Sequence, residues 1–172
     1  MVAIAAARPA DLPALHALIE RAYRGDAARA GWTHEADLLG GQRTDPAALA
    51  EIVADPEQEL LAARDGEAIV GCVVVRRVAP DRSYLGLLTV EPTLQAGGLG
   101  RRLLAAAEDR ARAAGAVAME MTVIARRAEL IRWYERRGYR LTGERRPFPL
   151  DDPRFGLPKT RELEFVVLER KL

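Results

Sequence analysis

Three short apolar runs in the middle of the chain constrain its fold more strongly than any other feature. Each run has the length of a β-strand, and they cover residues 59–64, 68–77 and 83–90. The turn dipeptides Asp65-Gly66 and Pro80-Asp81 separate them, and this spacing predicts an antiparallel meander. Residues 69–75 are almost all apolar without alternation, which indicates a central strand covered on both faces.

Helical periodicity surrounds this meander. Apolar residues recur with helical spacing in three stretches, residues 12–22, 99–114 and 127–137. A shorter helix is predicted over residues 46–54, because Thr44 or Asp45 can cap it and Pro46 suits a first helical turn. The remaining strands are predicted over residues 3–7, 117–124, 139–144 and 163–168. Residues 25–45 are predicted to be irregular, and the succession of elements favours a single α/β domain over residues 1–172.

The composition indicates a folded protein without a disulfide framework or a metal site. The chain has 172 residues, of which 49% are hydrophobic, and its 26 Lys and Arg nearly balance 25 Asp and Glu. The formal net charge of +1 provides no strong positive field for nucleic acid. Cys72 is the only cysteine and lies among valines, so we expect a small core residue and not a nucleophile. Since there are also only two histidines, no metal is expected.

The first residues do not have the pattern of a signal peptide. Residues 1–7 are apolar, but no basic run precedes them, and Arg8 and Asp11 interrupt the pattern early. No stretch approaches the roughly 18 apolar residues of a membrane span. We therefore expect a cytoplasmic protein that does not contact a membrane.

A glycine-rich turn between a strand and a helix carries the first chemical signal. The strand that ends at Val90 leads through Gly97, Gly98 and Gly100 directly into the next predicted helix. Glycines let a ligand approach the backbone, and a first helical turn offers unpaired N–H groups, so the turn predicts a phosphate site. Neither the Walker pattern nor the dinucleotide-binding pattern fits the glycine spacing. The spacing Gln/Arg-x-x-Gly-x-Gly/Ala does fit, with Gln95 in its first position.

A second motif lies at the end of the last predicted helix. Tyr134-Glu135 is followed after two residues by Gly138-Tyr139, and a helix and a strand separate this motif from the glycine loop. Together the two motifs resemble the GNAT superfamily of N-acetyltransferases. The resemblance implies a GNAT-like domain with a mixed, mostly antiparallel sheet of about seven strands flanked by about four helices. It also implies acetyl-CoA as the cosubstrate.

The resemblance assigns roles to individual residues. Backbone groups of Leu88 and Val90 would pair with the pantetheine arm, and the N–H groups of residues 95–101 would hold the pyrophosphate. The Val90 N–H would also polarise the acetyl carbonyl, and the Tyr134 hydroxyl would give a proton to the departing thiolate. Arg127 stands seven residues before the tyrosine, where relatives often have Asn. The predicted coenzyme-binding set is Leu88, Thr89, Val90, Gln95, Ala96, Gly97, Gly98, Leu99, Gly100, Arg101 and Arg127.

Both predicted catalytic residues have a structural alternative. Periodicity alone would make Tyr134 a core aromatic, because it shares a helical face with Leu130 and Ile131. Many relatives use a strand carboxylate as the general base, yet residues 83–90 contain none. Glu120 is the lone charge in an apolar strand and is predicted to be the substitute base. Its alternative is a solvated edge position or a salt bridge to an arginine.

The acceptor site is predicted between the irregular segment and the proline-rich loop at residues 145–159. Trp32 could wall a pocket, Glu35 could attract an amine, and Arg43 could hold a carboxylate with its planar guanidinium. Each of the three could instead be a surface or packing residue. The loop is either a functional lid or a rigid excursion braced by its prolines.

These assignments predict an N-acetyltransferase that moves the acetyl group of acetyl-CoA to a primary amine by direct attack in a ternary complex. The acceptor would be a small-molecule or peptide amine, and relatives are commonly homodimers. A non-catalytic acyl-CoA-binding sensor of the same fold is the main alternative, favoured by the missing strand carboxylate. A third hypothesis, binding of a free nucleotide or a phosphoprotein, would leave the pantetheine slot unused.

Overall fold

A mixed sheet of seven strands forms the centre of the molecule in the computed structural model, which describes residues 1–172. The strands in chain order are β1 (Val2–Ala6), β2 (Leu39–Gly40), β3 (Gln58–Asp65), β4 (Ala68–Ala79), β5 (Arg82–Val90), β6 (Ala118–Ile124), β7 (Arg140–Pro147), β8 (Leu157–Pro158) and β9 (Glu164–Lys171). The helices are α1 (Leu12–Tyr23), α2 (Pro46–Ala54), α3 (Leu99–Ala113) and α4 (Ala128–Glu135). Short 3-10 turns lie at Pro9–Asp11, Asp26–Ala30, Pro92–Leu94 and Pro153–Phe155.

The strands of the main sheet follow the order β1-β3-β4-β5-β6-β9-β7. Every neighbouring pair is antiparallel except β5 and β6, which run parallel. The predicted meander over residues 59–90 corresponds to β3, β4 and β5, and β4 lies inside the sheet as expected. The predicted fold class, a mixed and mostly antiparallel sheet of seven strands with four helices, is confirmed.

Helices cover both faces of the sheet. On one face, Val73 of β4 packs in a cluster with Leu103 of α3 and Tyr134 of α4. On the other face, Cys72 of β4 packs in a cluster with Leu15 of α1. Because successive strand residues point to opposite faces, a strand between two helical layers must be apolar at every position. This arrangement explains the unbroken apolar run in β4.

The parallel strands β5 and β6 stay together over only three residues. Residues 82–84 pair with residues 118–120, and beyond Tyr84 the two strands separate. A β-bulge interrupts the pairing of β5 with β4 nearby, and Leu87 within it has a φ of 48°. Since a bulge bends and twists its strand, this irregularity turns the end of β5 away from β6. The result is a cleft in the middle of the sheet.

The two irregular segments of the chain meet beside this cleft. β2 of the first segment pairs with β8 of the proline-rich loop. Lys159 Nζ donates to the Ala36 carbonyl at 2.6 Å, and Arg24 Nη2 donates to the Phe155 carbonyl at 3.3 Å. These bonds join the proline-rich loop to the first irregular segment and to the end of α1.

Candidate active site

Two cavities open from the cleft between β5 and β6. We call the first, of about 300 Å³, the inner cavity; its lining includes Arg43, Tyr84, Thr122, Ile124 and Phe148. The second, of about 420 Å³, is the loop cavity; its lining includes Gln95, Gly97, Gly98, Gly100 and Arg101. Five residues line both cavities: Tyr23, Leu88, Arg127, Leu130 and Tyr134. The cavities therefore meet at these five residues.

The glycine loop offers a row of unpaired N–H groups beside the loop cavity. Ala96 and Gly98 have φ values of 72° and 85°, and Gly98 is the N-cap of α3. No protein acceptor receives the N–H groups of Gln95, Ala96, Gly98, Leu99, Gly100 and Arg101. Unpaired N–H groups at a helix N-terminus, with an arginine side chain next to them, suit an anion such as a diphosphate.

At the end of β5, Leu88 and Val90 have no strand partner on the side of the cleft, and only side chains bond their carbonyls. The Glu91 N–H donates to the Val70 carbonyl at 2.9 Å, so residue 91 faces β4. Because N–H and C=O groups alternate along an antiparallel ladder, the groups of Leu88 and Val90 point the other way, toward the cleft. The Leu88 carbonyl accepts a hydrogen bond of 2.5 Å from the Tyr23 hydroxyl.

Tyr134 lies where the two cavities join. Its side chain is 5% exposed, and its ring makes edge contacts with Trp133 and Tyr139 at centroid distances of 5.0 and 5.7 Å. No protein group bonds its hydroxyl, which borders both cavities. Burial raises the pKa of Tyr134 well above that of a free phenol. The hydroxyl is therefore protonated and free to donate.

Glu35 is the only carboxylate in the lining of the inner cavity, and two arginines hold it. Arg24 Nη1 donates to Glu35 Oε2 at 2.5 Å, and Arg127 Nη1 donates to Oε1 at 3.3 Å. Burial alone would raise the pKa of Glu35, but the charges of Arg43, Arg127 and Arg24 hold it below its usual range. The sequence predicts that Glu35 attracts an amine, and in the structure its carboxylate is already shared by two guanidiniums.

Arg43 lies in the same lining without a carboxylate partner. Its guanidinium stacks over the Tyr23 ring, with 5.1 Å between Cζ and the ring centroid. The carboxylate of Glu20 accepts its backbone N–H at 2.9 and 3.1 Å. The structure thus brings Arg43 to the inner cavity, as predicted for an acceptor-binding residue.

Trp32 and Gln95 meet on the side of the loop cavity, and not at the inner cavity where Trp32 was expected. Gln95 Oε1 accepts the Trp32 N–H at 2.8 Å, and Gln95 Nε2 donates to Thr33 Oγ1 at 2.7 Å and to the Val90 carbonyl at 3.2 Å. A Cβ on Gly31 would clash with Gln95 Oε1, so a larger residue there would displace the Gln95 amide. The Gln95 amide therefore joins residues 31–33 to the end of β5.

Three predicted site residues lie away from the cavities. Glu120 lines neither of them and instead approaches Arg82 and Arg146, at 3.6 and 3.5 Å. This is the salt-bridge alternative for Glu120, and its position gives no support for a role as base. Thr89 is buried and donates to the Leu87 carbonyl at 2.9 Å, while Leu99 packs in the core, so only its N–H faces a possible ligand.

Sequence reasoning missed four polar residues of the site. Tyr23 is the last residue of α1, and Arg24 is its C-cap. In the sequence, both resemble ordinary polar residues at the end of a helix. Tyr84 and Thr122 share a hydrogen bond of 2.6 Å between their hydroxyls inside the cleft. No sequence signal marks this pair, because β5 and β6 contain other polar residues as well.

Two further features of the molecule concern metals and membranes. The structure contains no group of three or more His, Cys, Asp or Glu side chains placed to hold a metal ion. None of its helices has the length and apolar character needed to cross a bilayer.

The mixed sheet splays beside a glycine loop with unpaired N–H groups, and the two cavities in the cleft meet at Tyr134. Residues 32–148 match the family model described as "Acetyltransferase (GNAT) domain". This match covers more than half of the chain, and the protein belongs to the GNAT acetyltransferase family.

Individual relatives agree with this assignment. The chain is similar to an IAA acetyltransferase of Azospirillum brasilense, with 33% identity over 100 residues, which are 57% of this chain and 63% of that protein. The ribosomal-protein-S18-alanine N-acetyltransferase of Escherichia coli superposes with a TM-score of 0.73 at 18% identity, covering 99% of this chain and 94% of that one. The yncA protein of Salmonella typhimurium, solved with its cofactor acetyl-CoA, gives a TM-score of 0.73 at 19% identity, covering 100% and 94%. At such identities the two structures show the fold alone.

Proposed function

We propose that the protein transfers the acetyl group of acetyl-CoA to a primary amine, by direct attack in a ternary complex. One observation carries the proposal: the two cavities meet at Tyr134, whose hydroxyl bonds no protein group, beside the N–H groups of Leu88 and Val90 that point toward the cleft. A site for two substrates needs two spaces that share the reacting centre. The acceptor is a small-molecule or peptide amine that enters the inner cavity.

The residues of the loop cavity fit the coenzyme. Six unpaired N–H groups and the Arg101 side chain suit the pyrophosphate, and the N–H groups of Leu88 and Val90 suit the carbonyls of the pantetheine arm. Acetyl-CoA, when bound, supplies an acetyl group already activated as a thioester. The side chain of Arg127 is engaged with Glu35 and with the Thr33 carbonyl, so it shapes the border between the cavities more than it offers a free charge.

The chain contributes two groups to the transfer. The Val90 N–H donates to the carbonyl oxygen, where negative charge develops during attack. The acceptor nitrogen forms the new bond to the acetyl carbon while the carbon–sulfur bond breaks, and the Tyr134 hydroxyl gives its proton to sulfur. The proton that the nitrogen then loses restores the Tyr134 hydroxyl. Because the acceptor nitrogen attacks the thioester directly, no covalent acyl-enzyme forms.

The inner cavity contains no free carboxylate to act as a general base, which favours a second candidate function. Glu35 is held by two arginines, and Glu120 lies outside the cavity. A non-catalytic acyl-CoA-binding sensor would need no base. Such a protein would bind acetyl-CoA but would release no thiol with any amine.

Thiol release measured with acetyl-CoA and a panel of amines tests the proposed function directly. Release that depends on one class of amine supports acetyl transfer, whereas binding without release supports the sensor. Thermal shifts with acetyl-CoA and with ATP separate both from nucleotide binding, since only a bound ligand stabilises the folded state. A shift with ATP but none with acetyl-CoA would contradict both candidates.

Gly100→Leu is expected to weaken acetyl-CoA binding by at least about tenfold, which is about 1.4 kcal/mol. A Cβ at this position would already lie 3.5 Å from Trp133 Cζ2, so the longer side chain must extend into the loop cavity. Gly100→Ala is the matched control, because its Cβ makes only an ordinary contact. Calorimetric titration with acetyl-CoA gives both dissociation constants, and equal values for the two variants would argue against this location of the coenzyme.

Cys72 is expected to remain unmodified when the protein is incubated with acetyl-CoA and no acceptor. Burial raises the pKa of the Cys72 thiol to about 12, and its Sγ lies 3.6 Å from the Leu87 carbonyl, outside both cavities. A protonated, buried thiol is a poor nucleophile. Intact-mass spectra check this expectation, and a stoichiometric acetyl adduct at Cys72 would exclude direct attack.

A further inference from the structure

The inner cavity carries a surplus of positive charge. Four charged side chains line it: Arg24, Glu35, Arg43 and Arg127. Glu35 is shared between Arg24 and Arg127, at 2.5 and 3.3 Å, so the single carboxylate is already engaged. Arg43 forms no ion pair with any carboxylate of the protein. The guanidinium of Arg43 is therefore available to an anionic group of a ligand.

Arg43 is also held in place by its surroundings. Both carboxylate oxygens of Glu20 accept its backbone N–H, and Glu20 Oε1 also accepts the N–H of Thr44 at 2.9 Å. The Tyr23 ring supports the guanidinium from one side. A planar guanidinium fixed in this way is suited to bind a carboxylate through two hydrogen bonds.

Part of the lining of the inner cavity is apolar. Leu39, Ile124 and Phe148 belong to one small buried cluster, and Phe165 packs against it with its ring 5.2 Å from that of Phe148. All four residues line the inner cavity. An acceptor that fills this space therefore presents an apolar side chain as well as an anionic group.

We propose that the acceptor is a free amino acid with an apolar side chain, bound by its carboxylate to the Arg43 guanidinium, with its amine toward Tyr134. The inference rests on the proposed function and names the acceptor class for the same site. Polyamines and aminoglycosides carry several positive charges, which the surplus charge of the inner cavity repels.

The same arrangement helps the amine to lose its proton. In a free amino acid the carboxylate stabilises the neighbouring ammonium group. Pairing that carboxylate with Arg43 removes this stabilisation, and nearby guanidiniums further disfavour the charged amine. An acceptor of this class therefore needs no free carboxylate from the protein, and its surplus proton goes to water before the attack.

Matched acceptors test the proposal on the unmodified chain. Thiol release is measured with L-phenylalanine and L-leucine, and with L-phenylalaninamide and L-leucinamide. Each amide keeps the side chain and the amine of its acid. The amine of the amide is less basic than that of the acid, so a smaller fraction of it is protonated. A lower rate with the amide therefore does not come from protonation of the amine. We expect kcat/KM for at least one acid to exceed that of its amide by at least about tenfold. Equal or faster turnover of both amides overturns the proposal, and so does the absence of turnover with all four compounds.

Arg43→Met adds the test of the residue itself. We expect it to lower kcat/KM for the preferred acid by at least about 30-fold, while the amide and the Kd for acetyl-CoA change by less than about threefold. Arg140→Met is the matched control, because Arg140 is an exposed arginine that lines neither cavity. An equal loss with acid and amide overturns the role of Arg43.

Failure of the proposed function is distinct from these results, since it appears as bound acetyl-CoA without thiol release for any amine.

Discussion

Tyr134→Phe is expected to lower kcat by about 100-fold or more, the range found when a general acid is removed. The phenylalanine ring keeps the contacts with Trp133 and Tyr139 and removes only the hydroxyl, which bonds no protein group. The Kd for acetyl-CoA should therefore stay nearly constant. Steady-state kinetics and calorimetry on the same preparation separate the two effects.

Tyr139→Phe is the matched control for this variant. Its ring lies 5.7 Å from that of Tyr134, but its hydroxyl donates to Glu108 at 2.9 Å and lines neither cavity. Loss of that hydrogen bond to a carboxylate should lower the free energy of unfolding by about 2 kcal/mol and leave kcat unchanged. If Tyr134→Phe kept full turnover, or if both variants lost activity equally, the hydroxyl of Tyr134 would not be the proton donor.

The elements that could be predicted from the sequence are those with local causes. α2 begins and ends where it was expected, because Pro46 suits its first turn and the Asp45 side chain accepts the Ala48 N–H at 2.8 Å. The glycine loop likewise follows from residues adjacent in the chain, and Gly98 adopts the left-handed conformation at the start of α3. Local backbone chemistry determines such features, so short patterns reveal them.

Contacts between distant segments explain what could not be predicted. β2 and β8 are two residues long and lie more than a hundred residues apart, so neither has a periodicity of its own. The pairing of Glu35 with Arg24 and Arg127 depends on how the first irregular segment folds back onto the cleft. Glu120 was predicted to be the base because it is the lone charge in an apolar strand. Its partners Arg82 and Arg146 come from two other strands, so the sequence pattern does not reveal the pairing.

The cleft results both from the local conformation of β5 and from its pairing with a distant strand. The parallel pairing of β5 and β6 ends at Tyr84, and the bulge at Leu87 turns the following residues away. Strand separation leaves backbone groups of Leu88 and Val90 without strand partners. Buried backbone groups need partners, and a bound ligand with amide groups can provide them. A local defect in the sheet thus creates the candidate site.

Glu35→Gln is expected to lower the free energy of unfolding at pH 7 by about 3 kcal/mol, a large share of the stability of a domain. Glu35 is 9% exposed, and the side chains of Arg24 and Arg127 are 5% and 9% exposed. Removing the carboxylate leaves two buried guanidiniums without a counter-charge, while the amide keeps the shape of the side chain. Urea unfolding of both proteins gives the difference. Asp151→Asn is the control, since its pair with Arg161 is exposed and its loss should leave the stability nearly unchanged.

The difference between wild type and Glu35→Gln should also depend on pH in one direction. The arginines hold the pKa of Glu35 below its ordinary value of 4.5 in the folded state, so its ionised form favours folding. This stabilisation is complete above the unfolded pKa near 4.5 and is lost as the pH falls through the lower folded value. Unfolding curves at pH 7, 5, 4 and 3 should therefore show a constant difference down to about pH 5 and a shrinking one below it. If the difference in the free energy of unfolding grew in acid, Glu35 would be protonated in the folded protein. The positive charge of the inner cavity would then be larger by one unit.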